Sequence, residues 1–166
     1  HIMDDTIDGG PIISRVKIPF SNDLDVSLMY QLSFLAEKKV FHDSFKKKFI
    51  ANINPENGNW IYYSRKPSDR IINFEESAEK IIQRIKTFSN KSQGCFFTYK
   101  NIEFKVYDAE LISNEFVINH SKKFNDLDII FNYEDSIIFK KENKILKFTK
   151  VVGPINDLSK GTPINK

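Results

Sequence analysis

The chain has 166 residues, 40% of them hydrophobic and 28% charged, enough apolar mass for one ordinary domain or two small ones. Its net charge of +3, from 25 basic and 22 acidic residues, is too mild to identify a nucleic-acid binder. The single cysteine, Cys95, excludes a disulfide framework or a zinc cluster built within the chain. No run approaches the roughly 20 apolar residues of a membrane span, no basic stretch leads into an apolar one as in a signal peptide, and the composition reads as cytoplasmic.

The first elements form a loop, a strand and a long helix. His1-Ile2-Met3-Asp4-Asp5-Thr6-Ile7-Asp8-Gly9-Gly10-Pro11 is an apolar start, an acidic loop and a glycine turn. Two adjacent glycines let the backbone turn sharply and approach another group closely. From Ile13 to Phe20 the chain alternates, with Ile13, Arg15, Lys17 and Pro19 on one side and Ser14, Val16, Ile18 and Phe20 on the other. That alternation predicts a strand over 12–20 with one buried face. Ser21-Asn22-Asp23 reads as a helix start. Val26, Met29, Leu32, Ala36, Val40, Phe41, Phe45 and Phe49 then make one stripe on a helix over 25–49, ending on the basic run Lys46-Lys47-Lys48.

A turn-rich linker over 52–59 follows, then a short apolar strand, Trp60-Ile61-Tyr62-Tyr63, and a polar loop over 64–69. A second helix is predicted over 73–88, with Asn73 as N-cap, Glu76 three residues on, and Ala78, Ile81, Ile82 and Ile85 as its buried stripe. Strands are predicted at 95–99, 102–109, 116–119, 127–133, 136–139 and 145–151, spaced as hairpins, with Lys100-Asn101 as the first turn. Several short strands after one helix suggest a small barrel or curled sheet. Beyond Gly153-Pro154 the chain turns polar and reads as a surface tail over 153–166. Cys95, on an apolar strand, reads as core.

The segment His1–Phe20 resembles the folate-dependent formyltransferases. In that family a strand ends in an acidic loop, followed by a hydrophobic residue, Asp, a small residue, Gly and commonly Pro-Ile. Ile7-Asp8-Gly9-Gly10-Pro11-Ile12 fits that pattern. The long helix from Asp25 looks like the last helix of the family's catalytic domain. Tyr63–Phe74, with Arg65-Lys66-Pro67, Asp69 and Ile71-Ile72, looks like the start of its C-terminal domain. Ser77–Ile85 and Gly94-Cys95-Phe96-Phe97-Thr98-Tyr99 match the helix and glycine-led strand that follow. The similarity runs from residue 1 to about 110 and is loose beyond.

The resemblance implies an α/β fold. Residues 1–51 would be the C-terminal portion of a Rossmann-like catalytic domain, 52–59 a linker, and 60–152 a small, mainly β, OB-like domain with one helix. It implies 10-formyltetrahydrofolate as formyl donor, with no metal. Asp8 would be the catalytic aspartate, and Met3, Asp4, Asp5, Thr6, Ile7 and Asp8 would line the folate pocket, chiefly through backbone. Formyl transfer to an amine needs a proton removed and an oxyanion stabilised. The family uses an Asn, a His and the Asp. His1, His42 and His120 are not in an Asn-x-His setting, so this sequence is expected to be the latter half of a longer enzyme. His1 reads as a residue that orients the loop.

Tyr63, Arg65 and Lys66 are substrate-binding candidates: Arg65 and Lys66 for an acceptor phosphate, Tyr63 with Trp60 and Tyr62 for stacking on a nucleobase. A solvated basic pair and interdomain aromatic packing are the structural alternatives. The preferred acceptor is a nucleotide-linked amino sugar such as a dTDP-sugar, its N-formylated product serving a surface polysaccharide such as lipopolysaccharide O-antigen. Methionyl-tRNA is the alternative acceptor. Residues 60–166 hold 18 Lys/Arg against 14 Asp/Glu, a weak excess for tRNA, where phosphate contacts dominate affinity. A homodimer is implied by analogy, and a non-catalytic binding module, through the β-rich half, is the remaining alternative.

Overall fold

A computed structural model describes residues 1–5, 9–53 and 64–166, which divide into a unit spanning His1–Ser64 and a unit spanning Arg65–Lys166. The expected strand at 60–63 and most of the 52–59 linker lie outside the described residues.

The first unit is built on α1, Val26–Lys46. Its N-cap is Asp25, whose Oδ1 accepts from the Leu28 amide at 2.8 Å, rather than the earlier Ser21–Asp23 cluster. The helix stops three residues short of Phe49 because Lys48 and Phe49 take positive φ, 52° and 57°. This reversal folds the Phe49 ring onto Phe41 and Phe45, with centroids 6.1 and 6.3 Å away.

Only part of the expected stripe is covered. Val26, Met29, Leu32, Ala36 and Val40 are half-buried, but Phe41 and Phe45 are each 65% exposed and Phe49 47%. Tyr30, Phe34 and Leu35 also face solvent. Among the described residues of this unit α1 is the only helix, and its aromatic side stays open.

The expected strand over 12–20 does not form a ladder. Ile12 makes one antiparallel bridge, to Ile53, and among the described residues no ladder pairing continues along 13–20. The predicted alternation holds only over 14–19, with Ser14, Val16 and Ile18 half-buried and Arg15, Lys17 and Pro19 exposed; at its ends it fails, since Ile13 is buried and Phe20 exposed. A strand needs a neighbour along its length for its N–H and C=O groups, and among the described residues the backbone pairing here is confined to Ile12 with Asn52 and Ile53. Lys47 does not simply end the helix in solvent: its Nζ donates to the Ile13 carbonyl at 3.2 Å.

The second unit begins with a 3-10 turn at Pro67–Arg70 and the helix α2, Ala78–Thr87. Ala78, Ile81 and Ile85 are buried, as their spacing predicts. The cap is Ser77, not Asn73, whose side chain instead accepts from the Glu75 amide at 2.9 Å. A hairpin follows: β1, Cys95–Tyr99, and β2, Ile102–Val106, joined through Lys100 and Asn101, both at positive φ.

The run expected as one strand over 102–109 breaks at Tyr107. Beyond it, β3, Asp108–Leu111, joins a different sheet with β4, Ile129–Tyr133, β5, Ser136–Lys141, and β6, Lys144–Thr149. This sheet has the order β3-β6-β5-β4 and all its pairs are antiparallel. Lys105 and Val152 bridge the hairpin to the chain just past β6.

Residues 116–119 are helix, not strand. They lie in α3, Glu115–Ser121, because the Asn114 side chain accepts from the Phe116 and Val117 amides. That cap starts a helix and overrides the apolar run. With α3 on one side and the main core on the other, the four-stranded sheet is buried on both faces. Ile137, Phe139, Leu146 and Phe148 point into the main core, and Ile130, Ile138 and Ile145 into a second cluster with Val117 and Phe124.

The expected surface tail is instead packed. Ile155, Leu158 and Ile164 are buried in the main core. The Ile129 amide donates to Thr162, and the Gly161 and Ile164 amides return to Ile129 and Leu127. Asn132 Nδ2 donates to the carbonyls of Ile155 and Leu158 at 3.0 and 3.2 Å. A Cβ on Gly153 would lie 2.6 Å from the Phe104 ring, so the turn into this segment requires glycine. The segment covers the free edge of β4, which would otherwise present unpaired backbone. Ile164→Ala is expected to destabilise the folded protein by about 2–4 kcal/mol in urea unfolding. An unchanged midpoint would mean the segment is a surface tail after all.

Candidate functional site

In the first unit the expected site is the opening loop. His1–Asp5 doubles back on the glycine turn, with the Ile2 amide donating to the Pro11 carbonyl at 2.8 Å. Gly10 is buried at the crossing, and a Cβ there would stand 1.7 Å from the Ile2 carbonyl oxygen. The glycine is therefore required for close approach of two backbones. Met3, Asp4 and Asp5 are exposed on this loop. Thr6, Ile7 and Asp8 lie outside the described residues, so the structure does not place the expected catalytic aspartate. His1 packs next to the crossing, its ring carbon 3.5 Å from the same Cβ position.

In the second unit the candidates Arg65 and Lys66 are exposed at the start of the 3-10 turn; Tyr63 lies outside the described residues. The turn is held firmly. The Lys66 amide donates to Asp69 Oδ2 at 2.6 Å, and the Asp69 amide returns to the Lys66 carbonyl at 3.0 Å. Below it sits Arg84 of α2, which sequence reasoning did not single out. Its guanidinium grips the Glu76 carboxylate with two N–H groups, at 2.6 and 3.2 Å, and donates a third bond to the Asp69 carbonyl at 2.8 Å. The bond to Glu76 holds the Arg84 pKa above its usual value. Arg70 donates to the Gln93 carbonyl at 3.2 Å and lies over the Phe96 ring. Arg70 and Arg84 thus lock the turn, while Arg65 and Lys66 are left facing solvent. The pairing of Arg84 with Glu76 across eight residues was open to discovery only as an acid and a base flanking the α2 stripe.

Cys95 is fully buried, its thiol against the Arg84 carbonyl. Burial pushes its pKa up to about 12, against the pull of the Arg84 and Arg70 charges. It is a core thiol. Among the described residues no three His, Cys, Asp or Glu side chains converge as metal ligands, and no helix is long and apolar enough to cross a membrane.

This architecture recurs in solved proteins. HypX from Aquifex aeolicus, as a variant, aligns with a TM-score of 0.67 at 9% identity, covering 89% of this chain and 26% of HypX. HypX in complex with tetrahydrofolic acid aligns at 0.66 and 10% identity, over 89% of this chain and 25% of that one. An N-formyltransferase from Helicobacter canadensis, in complex with folinic acid and dTDP-3-aminofucose, aligns at 0.63 and 16% identity, over 90% of this chain and 53% of that one. The chain thus spans about half the length of the Helicobacter protein and a quarter of HypX. No curated protein sequence matches it.

The fold is therefore a mixed α/β one with two antiparallel sheets, shared with folate-bound proteins. Residues 65–154 match the C-terminal domain model of the formyl transferases, and the chain belongs to that family.

Two outcomes test this geometry. Arg84→Ala is expected to lower stability by about 1–3 kcal/mol and to speed tryptic cleavage after Arg65; unchanged cleavage kinetics would contradict the locking role. For Cys95, the folded pKa of about 12 lies above the usual 9.0. The unfolded chain therefore releases its proton first, and stability present below pH 9 falls as the pH rises toward 12. A Cys95→Ala variant should lose this alkaline component, read as a flatter dependence of the unfolding midpoint between pH 8.5 and pH 10.5.

Proposed function

We propose that the intact protein is a folate-dependent N-formyltransferase whose acceptor is the amine of a nucleotide-linked amino sugar. The match of residues 65–154 to the formyl transferase C-terminal domain carries this reading. The Helicobacter neighbour, with its folinic acid and dTDP-amino sugar, supports the donor and acceptor classes. The weak net positive charge of the second unit supports a sugar nucleotide over tRNA. On this reading residues 1–51 complete a Rossmann-like catalytic domain, the β-rich domain is OB-like, and the protein is a cytoplasmic homodimer.

The exposed aromatic side of α1 supports the same reading. Among the described residues the first unit buries only Gly10, Ile13 and Ser44. A helix carrying Tyr30, Phe34, Phe41 and Phe45 on its open side is half of an interface, and the remainder of a catalytic domain is the expected cover.

The chemistry assigns roles by position. The acceptor amine attacks the formyl carbon of 10-formyltetrahydrofolate, giving a tetrahedral oxyanion. The carbon–N10 bond then breaks, N10 takes a proton, and tetrahydrofolate leaves as the amide forms. The backbone of Met3–Asp8 is assigned to the folate. Asp8 is a positioning residue for the family's histidine, which the resemblance places outside this sequence. Arg65 and Lys66, already held on a rigid turn, are assigned to the acceptor's phosphates, and Tyr63 to its base.

The full-length protein should transfer formyl from 10-formyltetrahydrofolate to a dTDP-3-amino sugar, detected as the formamide by mass spectrometry. Asp8→Asn should lower kcat by about 10²–10⁴ while leaving KM and the circular dichroism spectrum near wild type. Near-normal turnover of that variant would remove Asp8 from the mechanism. Formylation of methionyl-tRNA but of no amino sugar would overturn the acceptor.

A further inference from the structure

The imidazole of His120, near the end of α3, is held in an unusual setting. It stacks on Phe131 of β4, with centroids 5.4 Å apart and planes within 14°, and lies 5.7 Å from Phe124. Its Nε2 is covered from solvent and has no hydrogen-bond partner. Two ammonium groups flank the same rings: Lys160, from the C-terminal segment, is 4.5 Å from the centre of Phe131, and Lys123, just past α3, is 5.7 Å from that of Phe124. Among the described residues neither lysine has a carboxylate partner. The other nearby ammonium, Lys140 of β5, is committed to the Phe124 carbonyl at 2.8 Å. On α3 itself the first-turn acid Glu115 lies at the opposite end of the helix.

We propose that α3 is an acid-released clasp over the outer face of the four-stranded sheet, with His120 as its trigger. While the imidazole is neutral it serves as an aromatic plate, and α3 and its flanks cover Ile130, Ile138 and Ile145 with Val117, Phe124 and Ile112. A proton would put a third positive charge beside Lys123 and Lys160, on a ring whose Nε2 has no acceptor. The clasp then opens to hydrate the ring, and the isoleucines of the sheet face become accessible.

The direction of titration agrees. Burial and then the charges of Lys123 and Lys160 hold the His120 pKa below its usual 6.5. The unfolded or undocked segment therefore binds the proton more readily. Docking is fully favourable above pH 6.5 and weakens as the pH falls through the lower folded value.

The test uses the full-length protein between pH 7.5 and pH 5. We expect a reversible rise in fluorescence of a hydrophobic dye, with loss of amide exchange protection confined to α3. His120→Phe, which keeps the ring stack, should abolish both. Lys123→Gln and Lys160→Gln, at exposed positions, should each move the transition about 0.3–0.5 pH unit lower, because His120 then titrates nearer its usual value. A wild-type profile in His120→Phe, or no displacement in either lysine variant, would overturn the proposal. So would an NMR titration placing the folded His120 pKa at or above 6.5. None of these readouts depends on formyl transfer.

Discussion

The second unit depends on one aromatic cluster. Phe97 of β1 stacks on Phe104 of β2 at 5.1 Å, Phe139 of β5 meets Phe148 of β6 edge-on at 4.8 Å, and Phe74 touches both pairs. The hairpin and the four-stranded sheet have no strand in common; these rings, the Lys105–Val152 bridge and the direct run of β2 into β3 through Tyr107 help join them. Aromatic pairs of this geometry are worth about 0.5–1.5 kcal/mol each beyond the area they bury. Phe74 follows the turn that carries Arg65 and Lys66, and its insertion anchors that turn to the core. The position of the candidate phosphate-binding pair is thus a consequence of core packing.

The two units contrast in how they are completed. The second closes on itself: its sheet is buried on both faces, and the edge of β4 is covered by residues 161–164. The first leaves the aromatic side of α1 uncovered and keeps little apolar surface from water. The contrast follows from which described elements are present to bury which faces. The glycine crossing at Gly10 shows that order in the first unit can be set by backbone proximity where side-chain packing is thin.

Sequence patterns were legible where the deciding contacts are local. The α2 stripe, the Lys100-Asn101 turn and the β5–β6 hairpin depend on spacing and turn chemistry within a few residues. Misreadings fell mostly where a remote partner decides, and once where a local cap was overlooked. The alternation at 12–20 describes a strand, but no neighbouring strand is supplied among the described residues. Phe41 and Phe45 share a side of α1 that, Phe49 apart, stays largely exposed among the described residues. The apolar run at 116–119 became helix through one Asn114 cap, and the polar stretch after Gly153 hid three core residues, Ile155, Leu158 and Ile164, among loop-forming neighbours. For the candidate site, the motif around Asp8 was visible as a string of residues, whereas Arg84 and Arg70 acquire their roles only when α2 and β1 come beside the turn.

By itself the sequence determined local pieces: the helices α1 and α2, the Lys100-Asn101 turn, the buried thiol strand and a motif that resembles the formyltransferases. Each rests on interactions between residues close along the chain, so each is encoded where it occurs. Only the tertiary structure decided which faces are covered, that the terminal segment closes the edge of β4, and that two arginines hold the basic turn. It also placed His120 between two lysines and two phenylalanines. Those outcomes require groups from different elements to meet, and a periodicity cannot state which other surface will arrive.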